Sequence, residues 1–357
     1  MRKWLVIIFC LIILSAGLAG CNTYAEPEDS NKPEQPPEIS TPPAVPVDEP
    51  TIPLEPAKPE APEIDLEEIR ANELGKVMVL MYHEIGLKED TWARTADNFR
   101  RDMETLYHLG YRPVNLNNFL AGNIDIPAGT TPFILTFDDG TAGQFRFIEE
   151  DGDMIVDPDS AVGILLAMSE KYSDFEPAGT FYIYYPLPFR QKDYIYDKLQ
   201  LLVNWGFEIG NHTHGHENLA KISPGEAVKT LVRHVRTTES ILPGYQVNTL
   251  ALPYGARPKE DNHLIYGEWE GTSYENKAIL LVGANPSLSP FDIRFNPFRL
   301  PRIRADETEL SRWLDYFKNN PDQQYISDGD PDTITVPEHI AGNVDSAGLS
   351  GRTLRTY

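Results

Sequence analysis

Six short apolar runs, at 77–82, 132–137, 180–184, 207–209, 249–252 and 278–282, recur along this chain with amphipathic stretches between them. Runs this short and this uniformly apolar suit strands buried on both faces, the condition of a parallel sheet covered by helices. The intervening segments carry the helical period. Between 97 and 109, Phe99, Met103 and Leu106 share one face, as do Leu310, Trp313, Leu314 and Phe317 between 307 and 318. Ser223-Pro224-Gly225-Glu226 is a capping box with Pro at the first helical position, so a helix starts there and buries Val228, Leu231, Val232 and Val235. Strand and helix in alternation define an α/β chain, either an open doubly wound sheet or a (β/α) barrel.

The polar residues favour the barrel. His83-Glu84 follows the first run, Asp138-Asp139-Gly140 the second, His212 to His216 the run near Ile209, and Tyr254-Gly255 the run ending at Leu252. Polar clusters at the carboxyl ends of several strands are how a (β/α) barrel assembles a site on one face. The expectation is a (β/α) barrel, distorted or incomplete.

The chain begins differently. Arg2 and Lys3 precede an apolar run from Leu5 to Leu14, and Leu18-Ala19-Gly20-Cys21 puts small residues before a cysteine, a secretory layout. That tetrapeptide resembles a bacterial lipobox, which implies a signal peptide over 1–20 and lipid on the Cys21 thiol; an uncleaved signal anchor is the alternative. With Cys10 lost and Cys21 acylated, no thiol is left for a disulfide or a cysteine-rich metal site. Residues 21–70 are rich in Pro and Glu, with Pro36-Pro37 and Pro42-Pro43 among them, and read as a disordered, semi-rigid linker. The formal charge of -23 argues against nucleic acid as a partner. About ten of those net negative charges fall within 22–70, so the folded part is milder.

Two clusters carry chemistry. His212-Thr213-His214-Gly215-His216 sets two imidazoles at i and i+4, able to aim at one point if the segment turns like a helix, with His214 pointing elsewhere. Alone, this could be a hydrogen-bonded loop, and Asp138-Asp139-Gly140 could be a turn whose side chains bind backbone amides. Together they offer two histidines and one carboxylate as a three-ligand metal site, with the other carboxylate free as a base.

Thr136-Phe137-Asp138-Asp139-Gly140 followed by His212-Thr213-x-x-His216 resembles the paired signatures of the polysaccharide deacetylases, carbohydrate esterase family 4 with its NodB-homology domain. Gly179 to Ile183 looks like that family's intervening strand and Leu252-Pro253-Tyr254-Gly255 like its third motif, so the resemblance spans roughly 76–305. It implies Asp138 as general base, Asp139, His212 and His216 as metal ligands, and a backbone N–H at Tyr254 for the oxyanion. It also implies a divalent metal, zinc foremost, although cobalt, nickel or iron suit the same ligands. Departures point to a subgroup. The family's late acid histidine is missing from Arg299-Leu300-Pro301-Arg302-Ile303, while Tyr82-His83 resembles an early element of the poly-N-acetylglucosamine deacetylases, which implies His83 as general acid. Ala251-Leu252-Pro253-Tyr254 lacks the arginine that braces the base, and Arg302 or Arg257 is the candidate replacement; Asp292 is a weak candidate to orient the acid.

The expected domains are the signal peptide, the linker, a deacetylase domain over 71–322 and an extension over 323–357 with no assigned role. The implied activity is hydrolysis of acetamide groups on an extracellular N-acetylated polysaccharide, by a protein lipid-anchored on the outer face of a bacterial membrane. The alternatives are a weak or inactive relative that binds carbohydrate, and a zinc peptidase, which the absence of His-Glu-x-x-His disfavours. The acidic segment 149–159 reads as a solvated loop, with a lid or cation site as the other possibility, and Tyr184, Tyr185, Trp205, Tyr254 and Trp269 are candidate sugar-stacking rings.

Overall fold

The computed structural model describes residues 64–357; the signal segment, Cys21 and most of the Pro/Glu-rich linker lie outside the described residues. Eight parallel strands form the central sheet: β1 (Met78–Tyr82), β2 (Tyr111–Pro113), β3 (Thr131–Asp138), β4 (Thr180–Ile183), β5 (Glu208–Asn211), β6 (Thr249–Ala251), β7 (Ala278–Leu280) and β8 (Ile303–Arg304). Their order is β7-β6-β5-β4-β3-β1-β8, with β2 beside the first half of β3. All six apolar runs became strands. β1 and β3 are buried at every position, which is why they read as continuous apolar runs rather than as alternation. The runs missed by periodicity, β2 and β8, are three and two residues long.

The sheet curls into a distorted barrel. β8 pairs with β1 through Leu80 and Ile303, while β7 reaches only Leu300, whose N–H donates to Ile279 O at 3.0 Å and whose carbonyl accepts from Leu281 N at 2.9 Å. One short segment, 300–304, therefore spans the gap between the two ends of the sheet.

Six helices cover it: α1 (Ala96–His108), α2 (Leu116–Leu120), α3 (Ala161–Lys171), α4 (Ile195–Asn204), α5 (Pro224–Ile241) and α6 (Glu307–Asn319). The cap at Ser223 is the one the sequence announces, and Asp306 adds a second. Ser223 Oγ accepts from Glu226 N at 3.2 Å, and Asp306 Oδ1 accepts from Glu309 N at 2.9 Å. Phe99, Met103 and Leu106 of α1 and Leu310 and Phe317 of α6 enter one core cluster with Met78, Leu80, Phe133 and Phe137, and Leu231, Val232 and Val235 of α5 enter another with Leu250 and Ile279. Among the described residues no helix is long and apolar enough to cross a membrane.

Two expectations change. Residues 323–357 are not set apart: Tyr325, Ile334, Val336 and Val344 share a core cluster with Val77, Val79 and Ile134. The polar composition hid this because few apolar side chains suffice where strand Thr333–Val336 pairs with Thr353–Thr356 against the barrel. The acidic segment is a hairpin, Phe147–Glu150 with Asp153–Val156, turned by Asp151 and Gly152 at φ of 55° and 89°. Asp-Gly at such a turn is the signal that charge counting passed over.

Against the C-terminal segment, Glu73 is buried. Its Oε1 accepts from Tyr325 Oη at 2.9 Å and its Oε2 from Thr335 N at 2.7 Å. Burial, with Asp328 nearby, pushes its carboxyl up to about 8, against the hydrogen bonds. The folded state thus holds a proton that the unfolded chain releases near 4.5, so stability falls as pH rises from about 5 to 8 and levels off beyond. Glu73→Gln should flatten that slope, removing a dependence of a few kcal/mol at most, as chemical denaturation across the pH range would show.

Candidate active site

Each polar cluster follows its strand. β3 delivers Asp138 into the barrel, where it is 1% exposed beside Arg302, at 0%. Arg302 donates from Nη1 to Asp138 Oδ1 at 2.7 Å and from Nη2 to Oδ2 at 2.8 Å, a bidentate pair. Two of its three remaining donors reach Leu281 O at 2.9 Å and Thr136 Oγ1 at 3.2 Å. Burial alone would raise the Asp138 carboxyl; the Arg302 charge and hydrogen bonds, with His212 and His83, outweigh it and hold the group ionised below the usual carboxylate range. Arg257 does not share this place, since it bonds Asp261 and the carbonyl of Phe298. Asp292 pairs with Arg294 instead of approaching His83.

Asp139 turns the other way. Its φ of 77° is left-handed, and it carries the chain from the buried strand into Gly140 at 55°. His212 Nε2 lies 3.4 Å and His216 Nε2 3.1 Å from Asp139 Oδ1, and the ligand atoms of all three lie within 4.8 Å of one another. The imidazoles meet without the helical turn the spacing suggested. Thr213 and His216, at φ of 60° and 61°, bend the segment, and His214 packs its ring on Tyr185. Asn211 Oδ1 accepting from Thr213 N at 2.9 Å and Thr213 Oγ1 accepting from Glu217 N at 2.9 Å hold the bend.

The donor set fits a divalent cation. His212 Nδ1 faces the carbonyl of Ala251 at 2.9 Å, which fixes the proton on Nδ1 and leaves Nε2 with a bare lone pair. His216 Nδ1 meets Tyr254 Oη at 3.0 Å. Asp139 Oδ1 is buried and finds no hydrogen-bond donor among the described residues. Two imidazole nitrogens and a carboxylate oxygen facing one point are a cation's requirement.

These groups line one cavity of about 500 Å³ with His83, Glu84, Trp92, Thr141, Leu252 and Val282. His83 Nε2 stands 3.9 Å from Asp138 Oδ2, its Nδ1 is buried without a partner among the described residues, and burial lowers its pKa. Its ring packs on Trp92, centroids 4.7 Å apart. Tyr254, 67% exposed with φ of 61°, also lines the cavity. Tyr184 packs on His216 at 5.1 Å, whereas Tyr185 is buried, Trp205 packs against Phe145, and Trp269 lies on a separate hairpin under Arg236. Trp92 was missed because it sits in an irregular loop. Arg190, which donates to Asp139 O at 3.3 Å and Tyr184 Oη at 2.7 Å, left no sequence signal either.

Residues 174–264 match the family model described as polysaccharide deacetylase. The matched segment holds His212, His216 and Tyr254, and the acidic pair lies upstream of it. That segment of the chain is thus similar to the polysaccharide deacetylases, a class of hydrolase. Among solved structures, this chain is similar to a Streptococcus pyogenes deacetylase in complex with acetate (16% identity, 67% of this chain and 97% of that one, TM-score 0.49). It is also similar to IcaB from Ammonifex degensii (15%, 68% and 97%, 0.49) and to a polysaccharide deacetylase from Bacillus cereus (19%, 67% and 68%, 0.45). No curated protein matches it.

Arg302→Met strands a buried carboxylate and should cost about 3–5 kcal/mol of unfolding free energy. Combining it with Asp138→Asn should recover most of that loss, because the second change removes the uncompensated charge; denaturant titration of the two single variants and the double variant measures it.

Proposed function

We propose that this protein hydrolyses acetamide groups on an extracellular N-acetylated polysaccharide with the help of a divalent metal, zinc foremost. The observation that carries the reading is the juxtaposition in one cavity of a three-atom cation cradle with a separate, ionised carboxylate braced by arginine. A polymer substrate agrees with a cavity open to solvent and walled by exposed Trp92 and Tyr254, faces on which sugar rings stack. The lipobox-like Leu18-Ala19-Gly20-Cys21 and the Pro/Glu-rich stretch after it support a domain tethered by lipid to the outer face of a bacterial membrane.

Asp139, His212 and His216 would hold the ion, which when bound supplies Lewis acidity toward the acetamide carbonyl and an attacking water. Asp138 accepts that water's proton. Its depressed pKa keeps it ionised and ready, and Arg302 denies it the freedom to swing away. His83 returns a proton through Nε2 to the departing amine, so that water and acetamide become acetate and free amine. Tyr254 lines the cavity in a left-handed turn, and its backbone N–H would serve as the oxyanion donor.

Acetate release from N-acetylglucosamine oligomers and from peptidoglycan by the full chain tests this. Release should require added divalent metal, stop with chelator, and fall by about 100-fold or more in Asp138→Asn while that variant still binds metal. His212→Ala should lose the metal itself, measured by elemental analysis of the purified protein. No release from folded, metal-loaded wild type on either polymer sinks the proposal.

A further inference from the structure

Gln144 follows the acidic pair in the turn toward α3 and is fully buried. Its Nε2 donates to the carbonyl of Asp138 at 2.5 Å and to the carbonyl of His83 at 2.5 Å. A carboxamide nitrogen has two hydrogens, so both are committed, one to the end of β3 and one just past the end of β1. The flipped amide would set Oε1 against two carbonyl oxygens, all acceptors, which fixes the orientation. Oε1 then finds no donor among the described residues. A buried acceptor left unpaired costs about 1–3 kcal/mol, a cost that a leucine or methionine filling the same space would not incur.

The backbone around Gln144 is shaped for this crosslink. A Cβ on Gly143 would lie 1.7 Å from the carbonyl oxygen of Ile85, so only glycine lets the turn approach the chain after His83 this closely. From the other side, Val162 N donates to Gln144 O at 3.0 Å and Ala161 N to Gly143 O at 3.0 Å, which seats the turn on the start of α3. The His83 ring itself has little to hold it: no partner on Nδ1, and 3.9 Å from Nε2 to Asp138. Its place is set by its backbone and by the face of Trp92.

We infer that Gln144 is a positioning residue, a side-chain crosslink between two strand ends that fixes the separation of His83 from Asp138. The inference rests on the proposed roles of those two residues. A rigid link matters because proton transfer is sensitive to displacements of an ångström, which cost up to about 100-fold in rate.

The test compares the metal-loaded full chain with Q144L and Q144E on N-acetylglucosamine oligomers. Q144L, which removes both donors at similar volume, should melt somewhat below the wild type because two carbonyls lose their donor, and should still fold and keep its metal. It should lose about 10- to 100-fold in kcat with KM within about twofold. Q144E is the discriminating variant: ionised, it repels both carbonyls, and protonated it regains one donor. Its kcat relative to wild type should therefore climb as pH falls, a profile that a residue needed only for packing would not produce. Should Q144L fail to fold, Q144M carries the same expectation. Wild-type kcat in Q144L, or a Q144E profile parallel to wild type, overturns the inference while leaving the deacetylase reading intact. If the wild type releases no acetate, that reading fails, and crystal structures of wild type and Q144L decide for Gln144: an unchanged His83–Asp138 separation overturns it, and a displacement of about 1 Å or more supports it.

Discussion

The bidentate pair of Asp138 and Arg302 is the constraint around which this barrel is arranged. Two charges inside a sheet are costly to desolvate, and they persist only where geometry and further hydrogen bonds are close to complete. Here they are, with Thr136 and the Leu281 carbonyl taking two of the guanidinium's three remaining donors. Arg302 sits on the segment that spans the open edge between β7 and β8, so one stretch of chain both closes the barrel and neutralises its interior carboxylate. That stretch has only a two-residue strand. The ion pair supplies a directional tie where the ladder is thin.

The rest of the site depends on strand ends that stop together. In the order β6-β5-β4-β3-β1, Tyr254, His212, Asp138 and His83 follow β6, β5, β3 and β1, and parallel pairing in register places those ends on one face. A parallel sheet aligns carboxyl ends without any further instruction, which is why polar residues after separate apolar runs can be expected to meet. What the sheet cannot do is aim the side chains. That falls to Asp139, Thr213, His216 and Tyr254, each left-handed although none is glycine.

This division explains what was legible in the sequence. Six of the eight strands, the capped start of α5 and the clustering of His83, Asp138, Asp139, His212 and His216 could be read because burial on both faces and capping chemistry are local properties. Arg302 could be named only as one of two arginines, since nothing local separates a guanidinium that reaches Asp138 from Arg257, which ends on Asp261. Trp92, Arg190 and Gln144 were invisible for the same reason. Their partners lie on other strands or loops, and composition does not encode that. The two imidazoles of His212 and His216 converge through left-handed residues rather than the helical turn on which the spacing argument was conditioned. The segment beyond 323 was misjudged because a polar stretch can still place Tyr325 and Val336 in a core.

The distribution of backbone strain has its own consequence. A left-handed residue other than glycine costs roughly 1–2 kcal/mol, and for a β-branched residue such as Thr213 it is a marked outlier. Four such positions adjoin one cavity, and the two histidine nitrogens and the Asp139 oxygen that they aim repel one another unless a positive charge lies between them. Random drift would not gather unfavourable conformations and unfavourable electrostatics at the same strand ends. The surrounding fold tolerates both because β1, β3 and β4 behind them are buried throughout. Inference from strain to function is sound when the strain is observed first. Here the backbone strain and the bare donor atoms coincide, and a cation would relieve the electrostatic part, leaving the backbone strain as what holds the donors in place before it arrives.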